Sequence, residues 1–210
     1  MKVEKHKSWF VVILDDDCEF ARFYEFADLV ESKFGLQFNN RLNDFDSLYW
    51  DFKFNGSALI LYYNIYLGVS VLPATFKEAK EIDNENTIFI GSQLFELFNN
   101  KNWACFANSN TIGTLGSESG IIVEDIEHSD GARITLEKDC GDIPFAITLG
   151  IYGTMFHTEY LSELDVAKDY VGTCKYYINK YFDLQTIHSN KRDDLWKTKK
   201  NSLLQNLRDF

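Results

Sequence analysis

The sequence has little proline and no long apolar run. Only 2 of its 210 residues are proline, so it has no proline-rich linker between domains. The apolar run near the start, Trp9 to Leu14, is six residues long and ends in three aspartates. A signal peptide needs a longer run, and a membrane-spanning helix needs about 20 apolar residues. We therefore predict a cytoplasmic protein without membrane contact.

The sequence also lacks the motifs of metal and cofactor sites. Its four cysteines are scattered, at positions 18, 105, 140 and 174, with no C-x-x-C pair and no adjacent histidine. A zinc site would need clustered ligands. The glycine-rich segment 108–120 has neither the lysine of a phosphate-binding loop nor a dinucleotide-binding pattern, and the chain has no G-x-S-x-G. We expect no metal and no cofactor.

Basic residues are outnumbered by acidic ones. The chain has 21 Lys and Arg against 32 Asp and Glu, a net charge of −11. This balance opposes nonspecific binding to nucleic acid, because phosphate binding relies on Lys and Arg. It favours a basic partner, which an acidic surface would attract over a distance.

Aromatic residues, in contrast, are abundant. They make up 16% of the chain, with 18 Phe and 11 Tyr. Large rings bury much area per residue, so the composition indicates a folded protein with a substantial core.

The first hundred residues contain signals of both helix and hairpin. Phe20 to Phe34 place apolar side chains at steps of three and four, which predicts a helix that Gly35 ends and Asp17 caps. Asn55-Gly56 lies between two apolar runs and predicts a tight hairpin. Residues 75–82 predict a short helix, and Ser92 is a plausible cap of a second helix over 92–98.

The second half contains four strand-like runs and then helices. Ser162 and Asp165 form an S-x-x-D pattern, which predicts the start of a long amphipathic helix. A last, charged helix is predicted over residues 191–208.

The two halves follow a similar order of elements. An offset of 85 residues places Gly68 on Gly153 and Asn55-Gly56 on Cys140-Gly141. We therefore predict an α+β fold in which antiparallel β-meanders pack against helices. It has two similar halves, built as tandem β-β-β-α units, and a C-terminal helix. The predicted domains are 1–100, 101–185 and a helical extension over 186–210.

The stretch VVILDDDCEF, residues 11–20, is an apolar strand that ends in aspartates and leads into a helix. It resembles the first strand and acidic pocket of response-regulator receiver domains, and the D-x-D strand end of haloacid-dehalogenase-type phosphatases, with Asp15 and Asp17 in the two positions. In both families such carboxylates hold Mg²⁺. The resemblance covers about ten residues, and a hairpin follows where these families alternate strands and helices. We interpret Asp17 as a helix cap.

His157 and Glu159 stand at the end of an apolar run, where they could belong to an active site or to a core strand. Alternation along 151–157 places Gly153, Met155 and His157 on one face. We predict that His157 is a strand-end residue with a local hydrogen bond. Similarly, the acid-rich run 124–130 could hold a metal, but alternating charges more often mark a solvated strand face.

We therefore predict a non-catalytic, acidic binding protein of the kind represented by bacterial immunity proteins, which neutralise basic toxin domains. The alternative is a small-molecule-binding protein or hydrolase with a pocket between the two halves. A homodimer is a further prediction. The candidate binding residues are Asp15, Asp17, Tyr62, Trp103, His157 and Glu159.

Overall fold

A computed structural model describes residues 1–16, 18–186 and 194–208. The chain divides into two compact units, Met1–Phe98 and Asn99–Phe210. The described residues of each unit form one antiparallel sheet and its helices, so the predicted α+β class is confirmed. The domain boundaries predicted at residues 100 and 185 stay predictions.

The first unit is built on a six-stranded antiparallel sheet. The strand order across the sheet is β1-β2-β6-β5-β4-β3. Helix α1 spans Phe20–Phe34, and helix α2 begins in this unit and spans Glu81–Asn100. The strands are β1 (Lys2–His6), β2 (Trp9–Asp15), β3 (Phe38–Asn43), β4 (Ser47–Phe54), β5 (Ser57–Asn64) and β6 (Gly68–Pro73).

The core of the first unit lies between one face of the sheet and both helices. Phe26 of α1 stacks on Phe98 of α2 with ring centroids 4.5 Å apart, and both rings are buried. Helix α2 approaches β2 so closely that a Cβ at Gly91 would lie 2.6 Å from a methyl group of Val12. The opposite face of the sheet carries no helix among the described residues of this unit.

The second unit has a five-stranded antiparallel sheet in the order β11-β10-β9-β8-β7. Helices α3 (Leu164–Gln185) and α4 (Asp194–Asn206) follow it. Ala167, Cys174 and Ile178 of α3 are buried in one cluster with the inward side chains of the sheet. Just beyond α4, the buried Leu207 accepts a hydrogen bond at its carbonyl from the Tyr170 hydroxyl, at 3.2 Å. The strands are β7 (Trp103–Cys105), β8 (Ile121–His128), β9 (Ala132–Cys140), β10 (Ile143–Ile151) and β11 (Met155–Leu161).

Both units contain a run of four antiparallel strands followed by a helix. These are β3 to β6 with α2, and β8 to β11 with α3. Gly68 and Gly153, the pair aligned by the offset of 85, both have positive φ angles, of 73° and 71°. Duplication of one ancestral unit stays a prediction.

Helix α2 is longer than predicted. The 75–82 helix is wrong: Phe76–Glu78 form only a 3-10 turn, and α2 begins at Glu81 and runs on through 92–98. Ser92 is therefore inside the helix, where its hydroxyl donates to the carbonyl of Ile88 at 2.8 Å. A serine that bonds one turn back in this way fits within a helix and does not begin one.

The helix ends agree only in part with the predictions. Gly35 adopts the left-handed conformation at the end of α1, with φ of 64°, as predicted. The predicted cap Asp17 lies outside the described residues, and Glu19 is the residue at the N-cap position of α1. Helix α3 has Glu163 rather than Ser162 at its N-cap, without a side-chain capping bond. The last helix, predicted over 191–208, is present as α4 from Asp194 to Asn206, and residues 191–193 of the prediction fall outside the described residues.

Across residues 1–16, 18–186 and 194–208, every helix is too short or too polar to cross a membrane.

Gly68, at the start of β6, and Gly153, in the turn before β11, allow a matched test of the fold. We expect Gly153→Ala to lower the free energy of unfolding by about 1 kcal/mol, because alanine is strained at positive φ. We expect Gly68→Ala to cost about 3 kcal/mol or more, because its Cβ would also lie 2.1 Å from the backbone oxygen of Asp15. At Gly153 nothing lies within 4 Å of the added atom. Urea unfolding measures the free energy of unfolding of both variants. Equal losses would contradict the close approach of Gly68 to the Asp15 backbone.

Candidate functional site

One end of the first sheet brings together three chain connections. They are the link that leaves β2 after Asp15, the β3–β4 turn (residues 44–46) and the β5–β6 turn (residues 65–67). Strand pairing places them side by side, since Ser47 pairs with Asn64, Asn64 with Gly68, and Asp15 with Val69. We call these three connections the acidic end.

Backbone contacts hold these connections together. The amide of Ile65 donates to the carbonyl of Asp46 at 3.1 Å, which joins the two turns. Each turn is also fixed by an acceptor of its own: the amide of Phe45 donates to Asp44 Oδ1 at 2.7 Å, and that of Tyr66 to Asn64 Oδ1 at 2.9 Å. Asp and Asn side chains form such local bonds in tight turns. The two turns of the acidic end are therefore held in place by hydrogen bonds.

Three large apolar side chains project from this surface. Phe45 is 93% exposed, Tyr66 78% and Leu67 64%. Exposed apolar side chains are common singly, but a group on adjacent turns is typical of an interaction site. None of the three is among the binding residues predicted from the sequence. One feature of the sequence could have identified them: apolar residues that stand next to Asp or Asn in predicted turns.

The charges around these side chains have one sign. Asp16, Glu19 and Asp44 are exposed, and Asp46 is half-buried. Segments 8–21, 42–52 and 54–76, which contain the three connections, have no Lys or Arg. Grouped carboxylates make the local potential negative, and Arg22 beneath them is buried and paired with Asp15.

Asp15 lies at this end but beneath its surface. It is only 2% exposed, and its Oδ2 is 3.5 Å from Nε of the buried Arg22 in α1. A buried carboxylate needs such a partner, because it has lost its hydration. Asp15 therefore ties α1 to the end of β2 and positions the surface. The other predicted residue here, Asp17, lies outside the described residues.

Tyr62 lies near the acidic end, within electrostatic range of Asp46, on the face of the sheet opposite the helices. Its ring is tilted against that of Tyr49, with centroids 4.8 Å apart. Burial raises the pKa of Tyr62, and a hydrogen bond with Tyr49 adds to the effect. The pair stabilises the open face by cross-strand contact.

The other predicted residues belong to the second unit. Trp103, at the start of β7, donates from Nε1 to Asn179 Oδ1 at 3.0 Å, and its ring meets the buried His128 edge-on. His157 is the third residue of β11, so its prediction as a strand-end residue is wrong: the run IYGTMFH turns at 152–154 before the strand starts. Its Nε2 lies 3.5 Å from Glu159 Oε2. This pair is local to the edge strand.

The acid-rich run 124–130 does not converge on a metal site. Within the described part of the chain there is no group of three or more His, Cys, Asp or Glu arranged to hold a metal. Asp125 instead accepts two bonds from Arg133, from Nε at 2.8 Å and from Nη2 at 2.6 Å. Burial alone would raise the pKa of Asp125, but the bonds from Arg133 and Thr135 outweigh it and hold the pKa below its usual range.

No family model matches the chain, and no curated protein or solved structure matches it. Any function of the chain is therefore inferred from the geometry and charge of the described residues. Of the surfaces in the first unit, the acidic end combines hydrogen-bonded turns, exposed apolar side chains and charge of one sign.

Loss of the Asp125 carboxylate should lower stability in a pH-dependent way. We expect Asp125→Asn to cost about 2 kcal/mol at neutral pH, because it removes a charge-assisted pair and leaves the donors of the half-buried Arg133 poorly paired. A group whose pKa is lowered by folding contributes stability above its unfolded pKa, about 3.9, and loses that contribution as pH falls through the folded value. The gap between wild type and variant should therefore shrink below about pH 4.

Urea unfolding of the second unit at several pH values measures this gap. Asp142→Asn is the control, because that carboxylate is exposed in the β9–β10 turn. A gap that stays constant down to acid pH would contradict the role of the ionised Asp125.

Proposed function

We propose that this chain is a non-catalytic binding protein and that the acidic end docks a basic protein. The observation that carries the proposal is the placement of Phe45, Tyr66 and Leu67 within a field of carboxylates that contains no basic side chain in the same segments. The apolar group supplies area to bury, and the carboxylates select the sign of the partner.

The two parts of the surface have different tasks. Exposed carboxylates attract a basic partner before contact and raise the association rate, more so at low salt. Large side chains at the centre of an interface supply most of the binding free energy once water is excluded. Phe45 and Tyr66 are suited to this second task because each is held on a turn that is already ordered, so binding costs little entropy.

The charge also bears on what the partner is. A second copy of the chain would present the same carboxylates, and like charges placed face to face oppose association. A basic partner is therefore favoured over self-association through this end. An immunity-type role, in which the partner is a basic toxin domain, is the particular form of this function that the sequence analysis predicts.

Charge reversal at the acidic end tests the proposal. The tagged full chain is first incubated with a lysate of its native host. A basic protein that it retains and that salt releases is then purified. Association of that protein is then measured with the variant Asp16→Lys/Asp44→Lys/Asp46→Lys. We expect the association rate at low salt to fall by about tenfold or more, because the variant removes the attracting field.

A matched control carries the same change of charge elsewhere in the unit. Glu78, Glu81 and Glu85 are exposed at the start of α2, and their replacement by lysine should change the rate only about twofold. If both triple variants slow association equally, net charge rather than this surface is responsible. Failure to retain any basic protein would overturn the proposal.

The anchoring role of Phe45 has a separate readout. Phe45→Ala should leave the free energy of unfolding within about 0.5 kcal/mol of wild type, because the ring is almost fully exposed. It should speed dissociation of the basic partner by about tenfold or more, since the anchor's buried area is lost. Unchanged dissociation would remove Phe45 from the interface.

A further inference from the structure

The outer face of the second sheet, opposite α3, is crossed by a strap made of residues 111–120. The strap folds back on itself as a small extension of β8: the amide of Gly113 donates to the carbonyl of Ile122 at 2.8 Å, and that of Ile122 to Thr114 at 2.9 Å. Its tip reaches the edge strand β11, where Tyr160 donates to Glu118 Oε2 at 2.6 Å.

The fully buried Glu137 of β9 fastens the strap to the sheet. Its carboxylate accepts from the amides of Glu118 at 3.0 Å and Gly120 at 3.1 Å, and from the Ser117 hydroxyl at 3.2 Å. Gly116 lies so close that a Cβ there would be 2.1 Å from the Glu137 carboxyl carbon. Several donors on one buried carboxylate make a strong and rigid attachment.

A cleft of about 860 Å³ lies between the strap, the sheet and the β10–β11 turn. This volume is in the range of small-molecule sites. Six Ser and Thr side chains line it, together with the phenol of Tyr152: Thr111, Thr114, Ser117, Thr135, Thr148 and Thr154. Thr135 and Thr148 are more than nine-tenths buried in its floor. Thr135 donates to Asp125 Oδ1 at 3.1 Å and Thr148 bonds to the Thr158 hydroxyl at 3.2 Å, and each hydroxyl oxygen can still accept a further hydrogen bond.

The floor also contains an aromatic platform. Gly150 of β10 faces Phe156 of β11 across the pair of strands, and a Cβ at Gly150 would be in ordinary contact with the Phe156 ring, at 3.7 Å. The ring therefore lies beside the bare backbone of Gly150. It is nevertheless 71% exposed, so much of its surface is open to an occupant of the cleft.

The cleft has little unbalanced charge. Among the described residues that line it, Arg133 is the charged one, and its bidentate pair with Asp125 offsets that charge. The guanidinium also stacks on Phe106, 3.6 Å from the ring centroid, so both its charge and its position are fixed. An ionic ligand would find no free counter-charge here, whereas neutral hydroxyls would find both donors and acceptors.

We propose that this cleft binds a neutral saccharide. A pyranose ring has one face of C–H groups, which packs on an aromatic ring, and a rim of hydroxyls, which exchange hydrogen bonds with side-chain hydroxyls and with charged planar pairs. The Phe156 platform supplies the first contact, and Thr135, Thr148 and the N–H groups of Arg133 that do not bond to Asp125 supply the second. This site is independent of the acidic end and uses residues of the second unit alone.

The experiment uses the ¹⁵N-labelled full chain and the methyl glycosides of glucose, galactose, mannose and N-acetylglucosamine at millimolar concentrations. We expect at least one glycoside to shift the amide signals of Thr148, Gly150 and Phe156. Phe156→Ala should weaken its binding about threefold to tenfold. Thr148→Val, which keeps the side-chain shape, should weaken it about twofold to tenfold.

The controls separate the platform from a general loss of aromatic surface. Phe45→Ala removes an exposed ring of the first unit and should leave glycoside affinity unchanged, as should the lysine triple variant of the acidic end. Indole serves as a flat aromatic probe without hydroxyls. The proposal is overturned if no glycoside shifts the cleft signals, if indole alone does, or if Phe156→Ala binds as tightly as wild type.

Discussion

The structure depends on one constraint: in the described part of each unit, helices cover one face of the sheet and leave the other open. Alternation along an antiparallel strand sends every second side chain to the covered face, where residues such as Phe52 and Leu149 are fully buried. The remaining side chains belong to an open face or to the turns at the sheet ends. Both proposed sites occur in these places.

The open face and the turns carry different surfaces in the two units. In the first, side chains on the open face contact one another, as Tyr49 contacts Tyr62, and the turns at one end carry the exposed apolar groups. In the second, a strap held by the buried Glu137 crosses the open face and leaves a cleft beside it. A flat, charged end suits a protein partner, whereas a cleft lined by hydroxyls suits a small molecule.

Buried carboxylates position both surfaces. Asp15 with Arg22 fixes the start of α1 below the acidic end, and Asp125 with Arg133 fixes the floor of the cleft. In each case a buried carboxylate is retained next to a guanidinium, which offsets the loss of hydration. The sequence marked Asp15 as a site residue for its position at a strand end, and its contribution is to hold the surface in place.

The sequence by itself determined the α+β class, helix α1 with its Gly35 end, and the hairpin at Asn55-Gly56, because these follow from periodicity and local backbone preference. Only the tertiary structure decided that α2 is continuous through Ser92 and that His157 lies inside an edge strand, since packing overrides weak local signals. It alone also joined Phe45 with Tyr66, and Phe156 with Gly150. Strand pairing brings together residues that are distant in sequence, and no local pattern records which strands pair.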